Sequence, residues 1–208
     1  YAASSSAYGD QPTQPKQEDM LPLPLSPYAV QKLTCEYYIQ SFYRAYGLEG
    51  VCLRYFNIFG PLQAADSPSS GVIEPFTYKM MAGETPTIFG DGLTSRDFNY
   101  VENAVSANLL ACTAPSEVAT GRVFNIGTGK SHTLNEVYAT IADQLHFTAK
   151  PIYGPTREGD IQHSLADISR ATKELGYHPK AQFHEGLQKT VAWYLEEKEK
   201  NEPATVQR

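Results

Sequence analysis

Residues 27–57, PYAVQKLTCEYYIQSFYRAYGLEGVCLRYFN, decide the fold. Pro27 suits a first helical turn, where its missing N–H is no loss, and Ser26 before it can cap the helix. A helix is predicted over residues 28–46, with Ala29, Leu33, Tyr37 and Phe42 as its apolar side and Gly47 as its stop. Residues 51–57 then read as a strand. Val51, Leu53 and Tyr55 alternate with Cys52, Arg54 and Phe56. Apolar side chains on both faces mark a parallel strand covered on both sides.

The flanks extend the pattern. Tyr1 to Ala3 reads as the tail of a strand that ends at Ser4-Ser5-Ser6. Pro12, Pro15, Pro22, Pro24 and Pro27 make residues 11–27 a surface loop that crosses to the helix. Downstream, helices are predicted over 72–81 (Ile73, Phe76, Met80 and Met81 inward), 101–113 (Val101, Val105, Leu109 and Leu110) and 183–198 (Leu187, Val191, Trp193 and Leu195). Thr133 and Glu136 form a capping box ahead of Leu134, Val137, Ile141 and Leu145. Asp167 can cap a short helix that Gly176 ends. Strands or extended pieces are expected at 87–89, 96–100, 123–126 and 161–166, and residues 199–208 as frayed. Helices alternating with short strands place the chain in the α/β class. No internal repeat competes.

A chain of 208 residues, 41% apolar and 19% charged, can build one ordinary core or two small lobes around a cleft. The net charge of −6 and the scattered Lys and Arg exclude duplex nucleic acid as a partner. No uninterrupted apolar run of spanning length points to a membrane, and no signal peptide is read at the start. Cys35, Cys52 and Cys112 are odd in number, with no C-x-x-C pair and no Cys/His cluster, so neither a disulfide framework nor a metal site is expected. Reduced thiols suit a cytoplasmic protein.

Tyr28 and Lys32 stand four apart, on one face of the predicted helix. The bare pair also fits a partly exposed aromatic beside a solvated lysine. Its surroundings are more specific: Ser4-Ser5-Ser6-Ala-Tyr8-Gly9, Arg54-Tyr55-Phe56-Asn57-x-x-Gly60-Pro61, Gly90-Asp91-Gly92-x-x-x-Arg96-Asp97-Phe98, Asn125-Ile-Gly127-x-Gly129 and Arg157-x-Gly159-Asp160. With these motifs in this order, nearly the whole chain resembles the extended short-chain dehydrogenase/reductase family and, within it, the nucleotide-sugar 4-epimerases.

The resemblance implies the carboxyl-terminal part of an NAD-binding Rossmann-like sheet plus a smaller mixed α/β substrate-binding lobe. The expected division is a partial Rossmann-like catalytic domain over 1–60 and 93–128, a substrate-binding domain over 61–92 and 129–200, and a flexible tail over 201–208. It implies Tyr28 as the base, Lys32 stabilising negative charge on it and holding the nicotinamide ribose, and Ser4 with Ser6 orienting the sugar hydroxyl. Tyr55 and Phe56 are expected beside the nicotinamide. For the UDP-sugar partner it implies Asn57, Arg96 and Arg157 at the diphosphate, Asp160 at the uridine ribose, and Val72, Thr87, Ile88 and Phe89 along the uracil. Tyr55, Phe56 and Asp160 also admit plainer roles, in core packing or a surface ion pair; Ser5 admits that of a backbone cap.

The chemistry so implied is oxidation of sugar carbon 4, rotation of a 4-keto intermediate, and return of hydride from NAD. Ser5 and Ser6 stand where family dehydratases carry an Asp-Glu pair, which disfavours dehydration. Ser164, seven residues past Arg157, occupies a position that the family keeps bulky in enzymes restricted to UDP-glucose and UDP-galactose; a small residue implies UDP-N-acetylglucosamine and UDP-N-acetylgalactosamine. No G-x-x-G-x-x-G turn occurs in the sequence. An amino-terminal NAD-binding segment is therefore expected to be missing, with NAD bound weakly by these residues alone and a homodimer formed by the full-length protein through helix 28–46. The rival expectations are a non-catalytic sugar-nucleotide-binding fragment and an NAD-dependent sugar-nucleotide oxidoreductase.

Overall fold

The computed structural model describes residues 1–63, 71–157 and 160–201. Strand β1 (Ala2–Ser4) enters a 3-10 turn, Ser5–Tyr8, and the proline-rich loop leads to α1 (Pro27–Tyr46). Then come β2 (Cys52–Tyr55), β3 (Ile58–Phe59), α2 (Ile73–Met81), β4 (Thr87–Phe89), β5 (Ser95–Arg96), β6 (Asn99–Tyr100) and α3 (Val101–Thr113). They are followed by α4 (Ser116–Ala119), β7 (Val123–Ile126), β8 (His132–Thr133), α5 (Leu134–Gln144), β9 (Ile152–Gly154), β10 (His163–Ser164), α6 (Ser169–Leu175) and α7 (Phe183–Asn201).

β1, β2 and β7 form an all-parallel sheet in the order β1-β2-β7, with Ala3 against Arg54 and Arg54 against Asn125. Its strands are apolar on both faces, as the sequence requires of a covered parallel sheet. Ala3, Cys52 and Val123 meet Ile39 of α1 on one face. Leu53, Phe124 and Ile126 meet Ala107, Ala171 and Leu175 on the other. The smaller lobe gathers α2, α5 and α7 around Ile88, Phe98, Val137 and Phe183, beside a mixed sheet β10-β5-β8 and the parallel pair β4-β9. The capping box at Thr133 and Glu136 is formed in full.

Several expectations need correcting. The largest concerns the amino-terminal NAD-binding part, which was expected to be absent: residues 2–46 are themselves a Rossmann strand–helix unit, with β1 hydrogen-bonded in the parallel sheet and α1 packed over it. In α1, Tyr37 and Phe42 face outward, and the buried positions are Ala29, Leu33 and Glu36. Glu36 can lie inside because Arg54 of β2 neutralises it, Nε to Oε1 at 2.9 Å and Nη2 to Oε2 at 2.6 Å. In α3, Val105 and Leu109 are 53% and 65% exposed, while Asn103, Ala104 and Ala107 are buried. Asn103 is matched in the interior, donating to Ala181 O at 2.9 Å and accepting from the Lys180 and Ala181 N–H groups at 2.6 and 3.0 Å.

Ile168, not Asp167, occupies the cap position of α6, although Asp167 Oδ1 accepts from Ser169 N–H at 2.9 Å. α7 runs on through Asn201, where a tail was expected to begin. The rest of that tail, residues 202–208, and Gly159 of the Arg157 motif lie outside the described residues. No helix of the described residues is long and apolar enough to cross a membrane.

Candidate active site

Two clefts meet above the carboxyl ends of β1 and β2, the end of a parallel sheet where ligands bind in α/β folds. The first, of about 370 Å³, is lined by Ser4, Ser6, Tyr28, Lys32, Tyr55, Phe56, Asn57 and Ser164. The second, of about 610 Å³, is lined by Asn57, Val72, Thr87, Ile88, Phe89, Arg96, Arg157 and Asp160. Asn57 and Arg96 line both. Every site residue expected from the sequence thus borders one cleft or the other.

In the first cleft, Ser4 ends β1 and caps the turn that follows. Its Oγ accepts from the Ser6 N–H at 3.2 Å and the Ser6 hydroxyl at 2.8 Å. The capping role considered for Ser5 therefore falls to Ser4, whose own O–H stays available to donate. Tyr28, at the first turn of α1, is 52% exposed. One turn on, Lys32 Nζ donates to Ala2 O at 2.8 Å and lies 5.4 Å from the centre of the Tyr1 ring and 5.7 Å from that of Tyr28. The Glu36–Arg54 pair fastens the same helix to the sheet. Arg54 also lies 4.7 Å from the Tyr8 ring, whose hydroxyl donates to Asn125 Oδ1 at 2.7 Å, and burial pushes that phenol up to about 12.

Tyr55 and Phe56 border the cleft differently from each other. The Tyr55 ring packs towards α3, and its hydroxyl accepts from Asn108 Nδ2 at 2.6 Å. Phe56 is fully buried with Tyr8 and Ala166 and forms a wall from beneath. Ser164, on β10, lies beside Arg96 in register.

In the second cleft, Arg96 Nη2 donates to Asp160 Oδ1 at 3.0 Å, while Nη1 donates to Ser95 O and Gln162 O at 3.0 and 3.2 Å. Burial pushes the Arg96 guanidinium below its ordinary pKa, and Asp160 works against that shift. The Arg157 guanidinium lies 3.9 Å from the centre of the Phe89 ring. Val72 caps α2, and Ile88 borders the cleft from within the core, fully buried. Two guanidiniums, one carboxylate and an apolar slot form a set that can grip a phosphorylated, ribose-bearing ligand.

Sequence reasoning missed what holds the second cleft together. Asp97, fully buried, accepts from Thr128 N–H and O–H at 2.8 and 2.7 Å, from Gly129 N–H at 3.0 Å and from Ala166 N–H at 3.3 Å. The signal was its place in Arg96-Asp97-Phe98, where it drew no separate role. Lys16 was also missed: it borders the first cleft almost wholly buried, and its ammonium donates to Gln11 O.

Known proteins share this fold. The solved UDP-N-acetylglucosamine 4-epimerase from Methanobrevibacter ruminantium, in complex with UDP-N-acetylmuramic acid, superposes with a TM-score of 0.87 at 42% identity, over 95% of this chain and 62% of that one. The UDP-glucose 4-epimerase of Thermotoga maritima, with UDP-glucose, gives 0.89 at 37% identity, over 94% and 62%. The UDP-glucose 4-epimerase of Mycolicibacterium smegmatis is 34% identical over 193 residues, 93% of this chain and 60% of its own length. The chain thus spans about three fifths of the relatives it matches. Residues 1–127, which carry the serine turn, Tyr28, Lys32, Asn57 and Arg96, match a single family description, and the chain belongs to that family, the NAD dependent epimerase/dehydratase family.

Proposed function

We propose that this chain carries the catalytic and sugar-nucleotide-binding residues of a cytoplasmic UDP-sugar 4-epimerase that uses NAD, acting on UDP-N-acetylglucosamine and UDP-N-acetylgalactosamine with UDP-glucose as a poorer substrate. The observation that carries the reading is the junction of the two clefts at Asn57 and Arg96. One cleft offers a phenol, an ammonium and two serine hydroxyls; the other offers two guanidiniums and a carboxylate. The three free cysteines support the cytoplasmic setting.

The donor set of the first cleft fits the nicotinamide end of NAD. Lys32 keeps N–H groups beyond the one given to Ala2 O and would hold the ribose hydroxyls; the backs of Tyr55 and Phe56 would border the ring. Bound there, NAD would supply the acceptor and the donor of the carbon 4 hydride. Tyr28 removes the proton of the carbon 4 hydroxyl and gives it back, and the Lys32 ammonium stabilises negative charge as it grows on the phenol oxygen. Ser4, steadied by both bonds from Ser6, donates its free O–H to the same sugar oxygen. Arg96 and Arg157 pair with the diphosphate, and Asp160 accepts from the uridine ribose. Ser164, small and beside the first cleft, leaves room for an N-acetyl group at carbon 2.

The test is incubation of the whole protein with UDP-N-acetylglucosamine and NAD, with the nucleotide sugars separated by anion-exchange chromatography. UDP-N-acetylgalactosamine is expected, with no net NADH. Ligand binding without conversion would favour a non-catalytic binding protein, and a released keto sugar with accumulating NADH would favour an oxidoreductase.

A further inference from the structure

Ser164 is held from two sides. On one side β10 pairs with β5, and the Asp97 N–H donates to Ser164 O at 2.7 Å. On the other side lies the proline-rich loop. Gln14 Nε2 donates to His163 O at 2.7 Å, and Gln14 Oε1 accepts from Leu165 N–H at 3.1 Å. One planar carboxamide thus makes the two bonds that a residue of a neighbouring strand would make. The loop adds to the seam: Asp10 Oδ1 accepts from Gln162 N–H at 3.1 Å, Lys16 N–H donates to Leu165 O at 2.7 Å, and Asp167 N–H donates to Lys16 O at 2.9 Å.

The placement of the Gln14 bonds is selective. The carbonyl of His163 lies in the peptide plane before Ser164, and the N–H of Leu165 in the plane after it. The φ and ψ of Ser164 are the rotations between those two planes. A rigid group that grips both planes fixes these angles, and so the direction in which the Ser164 side chain leaves the wall. Gln14 itself borders neither cleft.

We infer that Gln14 is a specificity-positioning residue, setting the width of the sugar pocket at carbon 2 by fixing the backbone of Ser164. The inference rests on the proposed function, in which Ser164 faces the carbon 2 substituent. Gln14→Met keeps the length of the side chain and removes both bonds. Gln14→Glu keeps the acceptor for Leu165 and removes the donor to His163.

The experiment measures kcat/KM for UDP-N-acetylglucosamine and for UDP-glucose in the parent and both variants of the whole protein, with amide hydrogen exchange at Leu165 alongside. In Gln14→Met the preference for the acetylated sugar is expected to fall about ten-fold through KM, with kcat on UDP-glucose kept and Leu165 exchanging faster. In Gln14→Glu the Leu165 amide stays protected and the preference falls less. An unchanged preference in a folded Gln14→Met whose Leu165 exchanges faster overturns the positioning role; if the methionine variant does not fold, an unchanged preference in Gln14→Glu overturns it instead. If the parent turns over neither sugar, the functional reading fails separately, and the ratio of calorimetric affinities for the two nucleotide sugars decides the role of Gln14.

Discussion

The two sides of the candidate site are built on different principles. Tyr28 and Lys32 stand on a twenty-residue helix whose ends are set by Ser26 and Gly47 and whose buried face is locked by Glu36 on Arg54. Their relative placement follows from helical geometry. Arg96, Asp160 and Ser164 stand on two-residue strands and loops. Their placement follows from side chains that bind main-chain groups, chiefly Asp97 and Gln14. The comparison teaches that the first side can lose a functional side chain and keep its shape, whereas the second loses its shape when a supporting side chain is lost.

The sharpest break lies on the helical side. Tyr28→Phe is expected to lower kcat by about 10²–10⁴-fold, the usual contribution of a general base, and to leave UDP-sugar affinity and thermal stability nearly intact. Tyr28 is half exposed on a helix fastened elsewhere, so the hydroxyl is not needed for folding. Steady-state kinetics with calorimetry reads both; unchanged turnover would remove Tyr28 as the base.

The matching break on the other side is Asp97→Ala. It leaves buried donors at Thr128, Gly129 and Ala166 without their acceptor. Each such group costs about 1–3 kcal/mol when unmatched, and water entering the gap offsets part of the sum, so a loss of about 2–4 kcal/mol is expected. UDP affinity should fall in the same variant, since the carboxylate bonds to Thr128, Gly129 and Ala166 that fix residue 97 also fix the adjoining Arg96. Denaturant unfolding and UDP titration measure the two effects. A destabilised variant with parental UDP affinity would separate the scaffold from the site.

The same contrast explains what the sequence disclosed. The helical side was legible because its signals are local: Ser26-Pro27, Gly47, the Tyr28–Lys32 spacing and the two-faced strand at 51–57. The Thr133–Glu136 box was legible for the same reason. The inner face of α3 was not, because large apolar residues were expected inside and the structure buries Ala104, Ala107 and a hydrogen-bonded Asn103. The partners of that asparagine lie near residue 180, and those of Gln14 near residue 164. No local pattern announces a bond across 77 or 149 residues.

Ser164→Tyr sharpens the comparison at a lower magnitude. A bulky ring at the wall is expected to reduce kcat/KM for the acetylated pair by about 10–200-fold relative to UDP-glucose, since steric rejection in a pocket is worth only about 1–3 kcal/mol. Measuring both pairs in parent and variant tests it, and an unchanged ratio would remove Ser164 as the gate.

The smallest expected effect is a pH dependence confined to the loop-built side. His132, on β8, pairs in register with Arg96, and its ring stacks on Phe183 with centres 4.3 Å apart. Burial pushes its pKa below the ordinary histidine value; His184 and Lys130 push the same way, and Glu136, 3.8 Å away, opposes them. The folded state therefore favours neutral His132. Its contribution to stability is complete above the ordinary histidine pKa. As pH falls through that value the unfolded chain takes up a proton that the folded chain refuses, and the contribution is lost until the lower, folded-state value is passed. Melting temperatures should accordingly drop between pH 7.5 and 5.5 by more in the parent than in His132→Gln, which has no ring to protonate. The excess should be matched by weaker UDP binding at the lower pH in the parent, because the strand that carries His132 is the neighbour of the strand that carries Arg96. Equal drops in the two proteins would assign the acid sensitivity to other groups and leave β8 indifferent to pH.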